Sequence, residues 1–152
     1  MANKFFPVSI DLNDKNILVI GAGKISLRKI ETLLKYNCNI TVITKEVLEE
    51  KFFDLEKDDK IKILKNQEFE EKFLENIFLV IAATDDEVLN KNISQLCMSK
   101  NILVNNITSK DDMNVRFASI YEKDDIQIAI SANGNPKKAV EIKHKIKDIF
   151  EK

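Results

Sequence analysis

Apolar positions along this 152-residue chain fall into two kinds of run, and the two kinds alternate. ILVI from Ile17 to Ile20, NITVIT at 39–44, KIKIL at 60–64, IFLVIAA at 77–83 and ILV at 102–104 are short and rich in β-branched residues, the signature of strands. Between them lie stretches at helical spacing. Leu27, Ile30, Leu33 and Leu34 form one stripe, Leu48, Phe52 and Leu55 a second, and Val88, Leu89, Ile93, Leu96 and Cys97 a third. Asn37 is a candidate left-handed stop after the first helix. Strands that alternate with helices predict an α/β fold, a parallel sheet covered by helices. The run at 77–83 is apolar throughout, so it is expected at the centre of that sheet, buried on both faces. A Rossmann-like unit is complete by about residue 106.

The pattern then changes. Val115, Phe117, Ser119 and Tyr121 alternate, EKDD makes a turn, and Ile126, Ile128 and Ile130 alternate again, as in an antiparallel hairpin. SANGNP breaks the chain, and Pro136 suits the first turn of a last helix striped by Ala139, Ile142, Ile146 and Ile149. A hairpin and one amphipathic helix cannot bury both their faces alone, which predicts a small dimerisation module and hence a homodimer. The expected division is 1–112 for a nucleotide-binding domain and 113–152 for the dimerisation and substrate-cleft module.

Composition narrows the partners. With 44% hydrophobic and 32% charged residues, 24 Lys and Arg against 25 Asp and Glu, the net charge is -1. No global basic field exists to hold nucleic acid or an anionic membrane, so an anionic ligand must be held locally. No run approaches the ~20 apolar residues of a membrane span, and the start MANKFFPVSIDL has neither the apolar core nor the cleavage site of a signal peptide, so a cytoplasmic protein is expected. Cys38 and Cys97 stand apart in apolar settings and read as small buried residues. His144, the single histidine, lies among lysines and reads as a surface residue.

Four places carry candidate chemistry. Gly21, Gly23 and Ser26 form Gly-x-Gly-x-x-Ser between the first strand and the first helix. There a glycine turn and a helix N-terminus receive a dinucleotide diphosphate, Gly21 allowing the sharp turn and Gly23 the close approach. The second strand ends at Thr44-Lys45-Glu46, where the adenosine ribose is expected. Glu46 could reach the ribose hydroxyls or merely start the next helix, and Lys45 could tolerate a 2′-phosphate, so NAD is favoured over NADP only slightly. Thr84-Asp85-Asp86-Glu87 has the spacing of a capping box between Thr84 and Glu87, and it also lies at the carboxyl end of the sheet where cofactors bind. The loop at 105–114, with Asp111 and Asp112, reads as a solvated turn or as a loop facing a nicotinamide. Finally, Ser131 to Lys138 brings Lys137 and Lys138 to a helix N-terminus, where cations are unfavourable unless an anion compensates.

Taken together, FFPVSIDLNDKNILVIGAGKISLRKIETLL, FLVIAATDDEVLN, ILVNNI and IQIAIS closely resemble the precorrin-2 dehydrogenase family, the first module of sirohaem synthases, over essentially the whole chain. The resemblance implies NAD-dependent oxidation of precorrin-2, a tetrapyrrole, to sirohydrochlorin, in some members with ferrous iron insertion, by a homodimer intertwined through its C-terminal parts. It implies cofactor contacts at Lys24, Ile25, Lys45 and Glu46. The chain also departs from the family. Thr108 stands where the family has its catalytic aspartate, Ala118 replaces a proline, and Asn133-Gly134-Asn135-Pro136 is one residue shorter than the family's turn. Threonine supplies no carboxylate, so Asp111 and Asp112 are the candidate substitutes and ferrochelatase activity is disfavoured. Lys110, Arg116, Lys137 and Lys138 are expected to receive the substrate's carboxylates. The rival expectation is a non-catalytic NAD-binding dimer that senses or regulates.

Overall fold

The structure, a computed structural model, describes residues 4–152, so the first three residues of the MANKFF start lie outside it. By its contacts the chain divides into two compact units, one of Pro7–Val115 and the other of residues 4–6 with Arg116–Lys152.

The first unit is a five-stranded parallel sheet with helices, as the alternating pattern predicts. In chain order it runs β1 (Asn16–Ala22), α1 (Lys24–Leu33), β2 (Asn39–Val47), α2 (Lys51–Lys57), β3 (Lys62–Leu64), β4 (Leu79–Ala82), α3 (Glu87–Ser99) and β5 (Leu103–Asn106). The strands lie in the order β3-β2-β1-β4-β5. β1 is therefore the pivot, pairing Ile17 with Ile40 of β2 on one side and with Leu79 of β4 on the other. All four residues of β4 are buried, as a run without polar positions requires. Leu18, Ile20, Val80, Ala82, Ile93, Cys97 and Val104 pack into one core cluster.

Several boundaries differ from the sequence pattern, each for a local reason. α1 starts at Lys24, three residues before Leu27, the first position of its apolar stripe, because the glycine turn feeds straight into it; the buried Ser26 hydroxyl donates to the Gly23 carbonyl at 3.0 Å. β2 does not stop at Thr44. A register shift at Gly21 lets Ala22 pair with Val47, and the Leu48 N–H donates to the Ala22 carbonyl at 3.0 Å. Glu46 is thus a strand residue and does not start a helix, and Leu48 lies outside α2, 66% exposed. Val88 is 69% exposed and off the buried face of α3, which is Asn90, Ile93, Ser94 and Cys97. Cys97 is buried, but Cys38 is only half-buried.

The second unit holds an antiparallel pair, β6 (Ser119–Lys123) and β7 (Ile126–Ile130), followed by α4 (Pro136–Phe150). Val115 and Phe117 do not extend the hairpin. Val115 is taken up by the first unit, where its N–H and that of Asn114 both meet the Val104 carbonyl at 3.2 Å. Pro136 occupies the first turn of α4 as predicted, with the Asn135 side chain capping Lys138 N–H at 3.1 Å. Tyr121 is buried and tilted against Phe150, ring centroids 6.0 Å apart. No helix among the described residues is long and apolar enough to cross a membrane.

Candidate functional site

In a doubly wound sheet, ligands bind outside the carboxyl ends of the strands, at the point where strand order reverses. Here that point lies between β1 and β4, and the geometry there is specific. Gly21 has φ +106°, and a Cβ on it would lie 2.2 Å from the Ala83 carbonyl oxygen and 3.0 Å from Thr84 N. Glycine is thus required for two reasons, the positive φ and the close approach of the loop after β4. Gly23 differs. Its φ is -106°, and a Cβ built there would meet only Leu48 Cδ1, at 4.0 Å. Nothing in the protein demands a glycine at 23, and open space remains where the backbone can meet a ligand.

Behind that space, α1 begins with Gly23 as its cap, no side chain among the described residues accepting from its first turn and no acidic residue in that turn. Lys24 and Ile25 are exposed there. Free N–H groups, the positive dipole end and a lysine leave this turn suited to an anion. These residues fit the diphosphate of a dinucleotide. On the other side of β1, Lys45 and Glu46 are exposed near the end of β2. Lys45 Nζ lies 3.0 Å from Glu68 Oε1, and this hydrogen bond and charge hold its ammonium above the usual lysine pKa. Lys29, deeper in α1, shifts the other way. Burial, with the Arg28 charge beside it, lowers it to about 8.

The loop after β4 is not built as a capping box. Asp86, not Thr84, caps α3 by accepting from Leu89 N–H at 3.0 Å, and Glu87 is the first helical residue. Thr84 instead points to Asn90. Its N–H and hydroxyl donate to Asn90 Oδ1 at 3.1 and 2.6 Å, while Asn90 Nδ2 donates to the Thr84 carbonyl at 3.0 Å and to Thr108 Oγ1 at 3.2 Å. Thr108 in turn donates its N–H and hydroxyl to Asn106 Oδ1, both at 2.9 Å. The place of the expected aspartate is therefore a neutral hydroxyl set between two carboxamides.

The loop carboxylates are arranged otherwise. Ser109 Oγ donates to Asp112 Oδ2 at 3.2 Å and accepts the N–H of Asp111 and Asp112 at 3.2 and 3.1 Å, closing a tight turn around the serine. Lys110 and Asp111 are exposed on that turn. At the end of β5, Asn105 Oδ1 and Asn106 Nδ2 are buried with no partner among the described residues. Each such atom costs about 1–3 kcal/mol, so this polar edge is not a choice made for stability.

In the second unit, Arg116 stacks its guanidinium 4.0 Å from the Phe5 ring centroid and reaches Asn133 Oδ1 at 3.5 Å. That contact brings Arg116 to the loop that leads into α4, whose first turn carries the exposed Lys137 and Lys138. His144 is exposed on the same helix.

Two residues of this site escaped the sequence pattern. Asn90 was signalled only as a polar residue on an otherwise apolar stripe, in step with Ile93 and Cys97. Leu48 was placed on a helix, whereas it lies over Gly23.

Comparison with known proteins bears on this geometry. Residues 8–119 match a family described as "Putative NAD(P)-binding". Siroheme synthase of Mannheimia succiniciproducens is 38% identical over 130 residues, and that of Buchnera aphidicola 39% over 130 residues. Each alignment covers 86% of this chain but 27% of the relative, so the chain spans about a quarter of the length of these proteins. Among solved structures, SirC, a precorrin-2 dehydrogenase, superposes with a TM-score of 0.82 at 26% identity, over 95% of this chain and 70% of that one.

Proposed function

The chain belongs to the NAD(P)-binding family, and from that premise we propose that it is an NAD-dependent dehydrogenase that oxidises precorrin-2 to sirohydrochlorin in sirohaem biosynthesis, working in the cytoplasm as a homodimer. The observation that carries this reading is the open face over Gly23 at the uncapped start of α1. Gly21, Gly23, Lys24 and Ile25 would hold the diphosphate, Lys45 and Glu46 would hold the adenosine ribose, and Thr84, at the carboxyl end of the sheet, would contact the cofactor. When bound, NAD supplies the hydride acceptor. Pairing of Lys45 with Glu68, beside the exposed Glu46, disfavours a 2′-phosphate and supports NAD over NADP.

The protein's own part in the reaction is orientation and charge. Precorrin-2 carries many carboxylates, and Lys110, Arg116, Lys137 and Lys138 are the cations proposed to hold them. Thr108 hydrogen-bonds but takes up no proton near neutral pH, and Asp112 is tied to Ser109. Hydride transfer rests chiefly on proximity and orientation, which a site without the carboxylate would retain in part. The enzyme names of the relatives favour this reading over a sensing dimer.

The test is turnover of precorrin-2 with NAD, followed by absorbance, in the parent and in Thr108→Asp. Asn90 Nδ2 already points at position 108 and is able to donate to the introduced carboxylate. Slow turnover in the parent, raised ~10²–10⁴-fold in the variant at nearly unchanged NAD affinity, is expected. Brisk parental turnover lost on Asp111→Asn or Asp112→Asn would move the acid–base role along the loop. No turnover in either protein, with NAD still bound, would overturn the dehydrogenase reading.

A further inference from the structure

Asn90 is fully buried, yet all four hydrogen-bonding capacities of its carboxamide are used, and none serves its own helix. Oδ1 takes the N–H and hydroxyl of Thr84, and Nδ2 gives to the Thr84 carbonyl and to Thr108 Oγ1. Thr84 belongs to the loop after β4 and Thr108 to the loop after β5, and a flipped amide would set donor against donor at the Thr84 N–H and acceptor against acceptor at the Thr84 carbonyl. A single side chain, entering from α3, thus sets the backbone of one loop on both its N–H and its carbonyl and ties the other loop to it. The backbone at 83–84 is also the wall that Gly21 approaches.

We propose that Asn90 is a positioning residue for the nicotinamide half of the cofactor: it locks the loops after β4 and β5 into one rigid edge, while the diphosphate and adenosine are held independently by the glycine turn and β2. The inference rests on the cofactor site of the preceding subsection. Its mechanism is preorganisation, since a buried carboxamide with all four capacities filled has one arrangement and loses little freedom when the ligand arrives. Hydride transfer depends on that arrangement more than binding does, because a small misplacement of the reacting ring is costly to rate.

The test compares NADH with ADP-ribose, which lacks only the nicotinamide, by titration calorimetry and by the fluorescence of bound NADH. Two variants are used. Asn90→Asp keeps the acceptor and removes the donor, and Thr108→Val, at an exposed position, breaks the tie from its far end and removes with it the hydroxyl's bond to Asn106, whose Oδ1 keeps the Thr108 N–H. In Thr108→Val, NADH affinity is expected to fall about tenfold with altered NADH fluorescence, while ADP-ribose affinity stays within about twofold; Thr108→Ser restores the parental values. Asn90→Asp is expected to show the same split more strongly. Equal losses for both ligands would make Asn90 a purely structural residue, and unchanged NADH binding in Thr108→Val would deny the coupling; either overturns the proposal. A parent that binds neither ligand fails earlier, and the cofactor site falls with it.

Discussion

Gly21 and Gly23 are two residues apart in one motif and do different work. At Gly21 the protein itself needs the glycine, because φ is +106° and the Ala83 carbonyl stands 2.2 Å from any Cβ. Gly21→Ala is therefore expected to cost about 2–4 kcal/mol of stability, seen as a lowered urea midpoint. At Gly23 a Cβ would meet only Leu48 Cδ1 at 4.0 Å, and it is the proposed ligand that needs the glycine. Gly23→Ala is expected to cost under about 1 kcal/mol, the ordinary loss at a helix cap, while NAD affinity in calorimetry falls more than tenfold. Parental affinity in Gly23→Ala would remove the diphosphate from this turn. The motif and the separate tasks of its two glycines were legible in the sequence, but the close approach of Ala83 to Gly21 was not, because Ala83 lies about sixty residues away along the chain. Asn90 makes the same point from the other side. Its partners lie 6 and 18 residues away, beyond the reach of any local pattern.

Helices and strands were read best where one periodicity ran without interruption, as in β1 and β4. Ends were read less well, because ends are set by hydrogen bonds that periodicity does not encode. The start of α3 illustrates this. Thr84 and Glu87 have capping-box spacing, but the Asn90 amide competes for Thr84 and wins, leaving Asp86 as the cap. Asp86→Ala is expected to destabilise the protein by about 1 kcal/mol, and Glu87→Gln by only a few tenths, in urea unfolding. The reverse order would restore the capping box. Turn positions follow a rule the composition makes necessary. With 3 glycines in the chain, every non-glycine residue of positive φ among those described is Asn or Asp, Asn37 at φ 51° included. Their short polar side chains tolerate the left-handed conformation.

For the whole molecule, the proposed homodimer is the part with most at stake. Ile126, Val140, Ile149 and Phe150 are exposed on the second unit, and Ile142 and Ile146 are only half-buried, apolar positions that the proposed dimer would cover. Ile142→Glu combined with Ile146→Glu is expected to give a monomer or an insoluble chain in sedimentation velocity, against a dimeric parent; a soluble, folded parent that sediments as a monomer would end the dimer reading. By itself the sequence determined the alternation of strands and helices, hence the covered parallel sheet, and it marked the glycine turn, because both are written in short-range spacing. Tertiary structure alone decided the strand order that sets β1 beside β4, the closeness of Gly21 to Ala83, and the Thr84–Asn90–Thr108 chain of hydrogen bonds. Those are contacts between distant segments, and they exist only once burial of the apolar strands has brought the carboxyl ends of the sheet together.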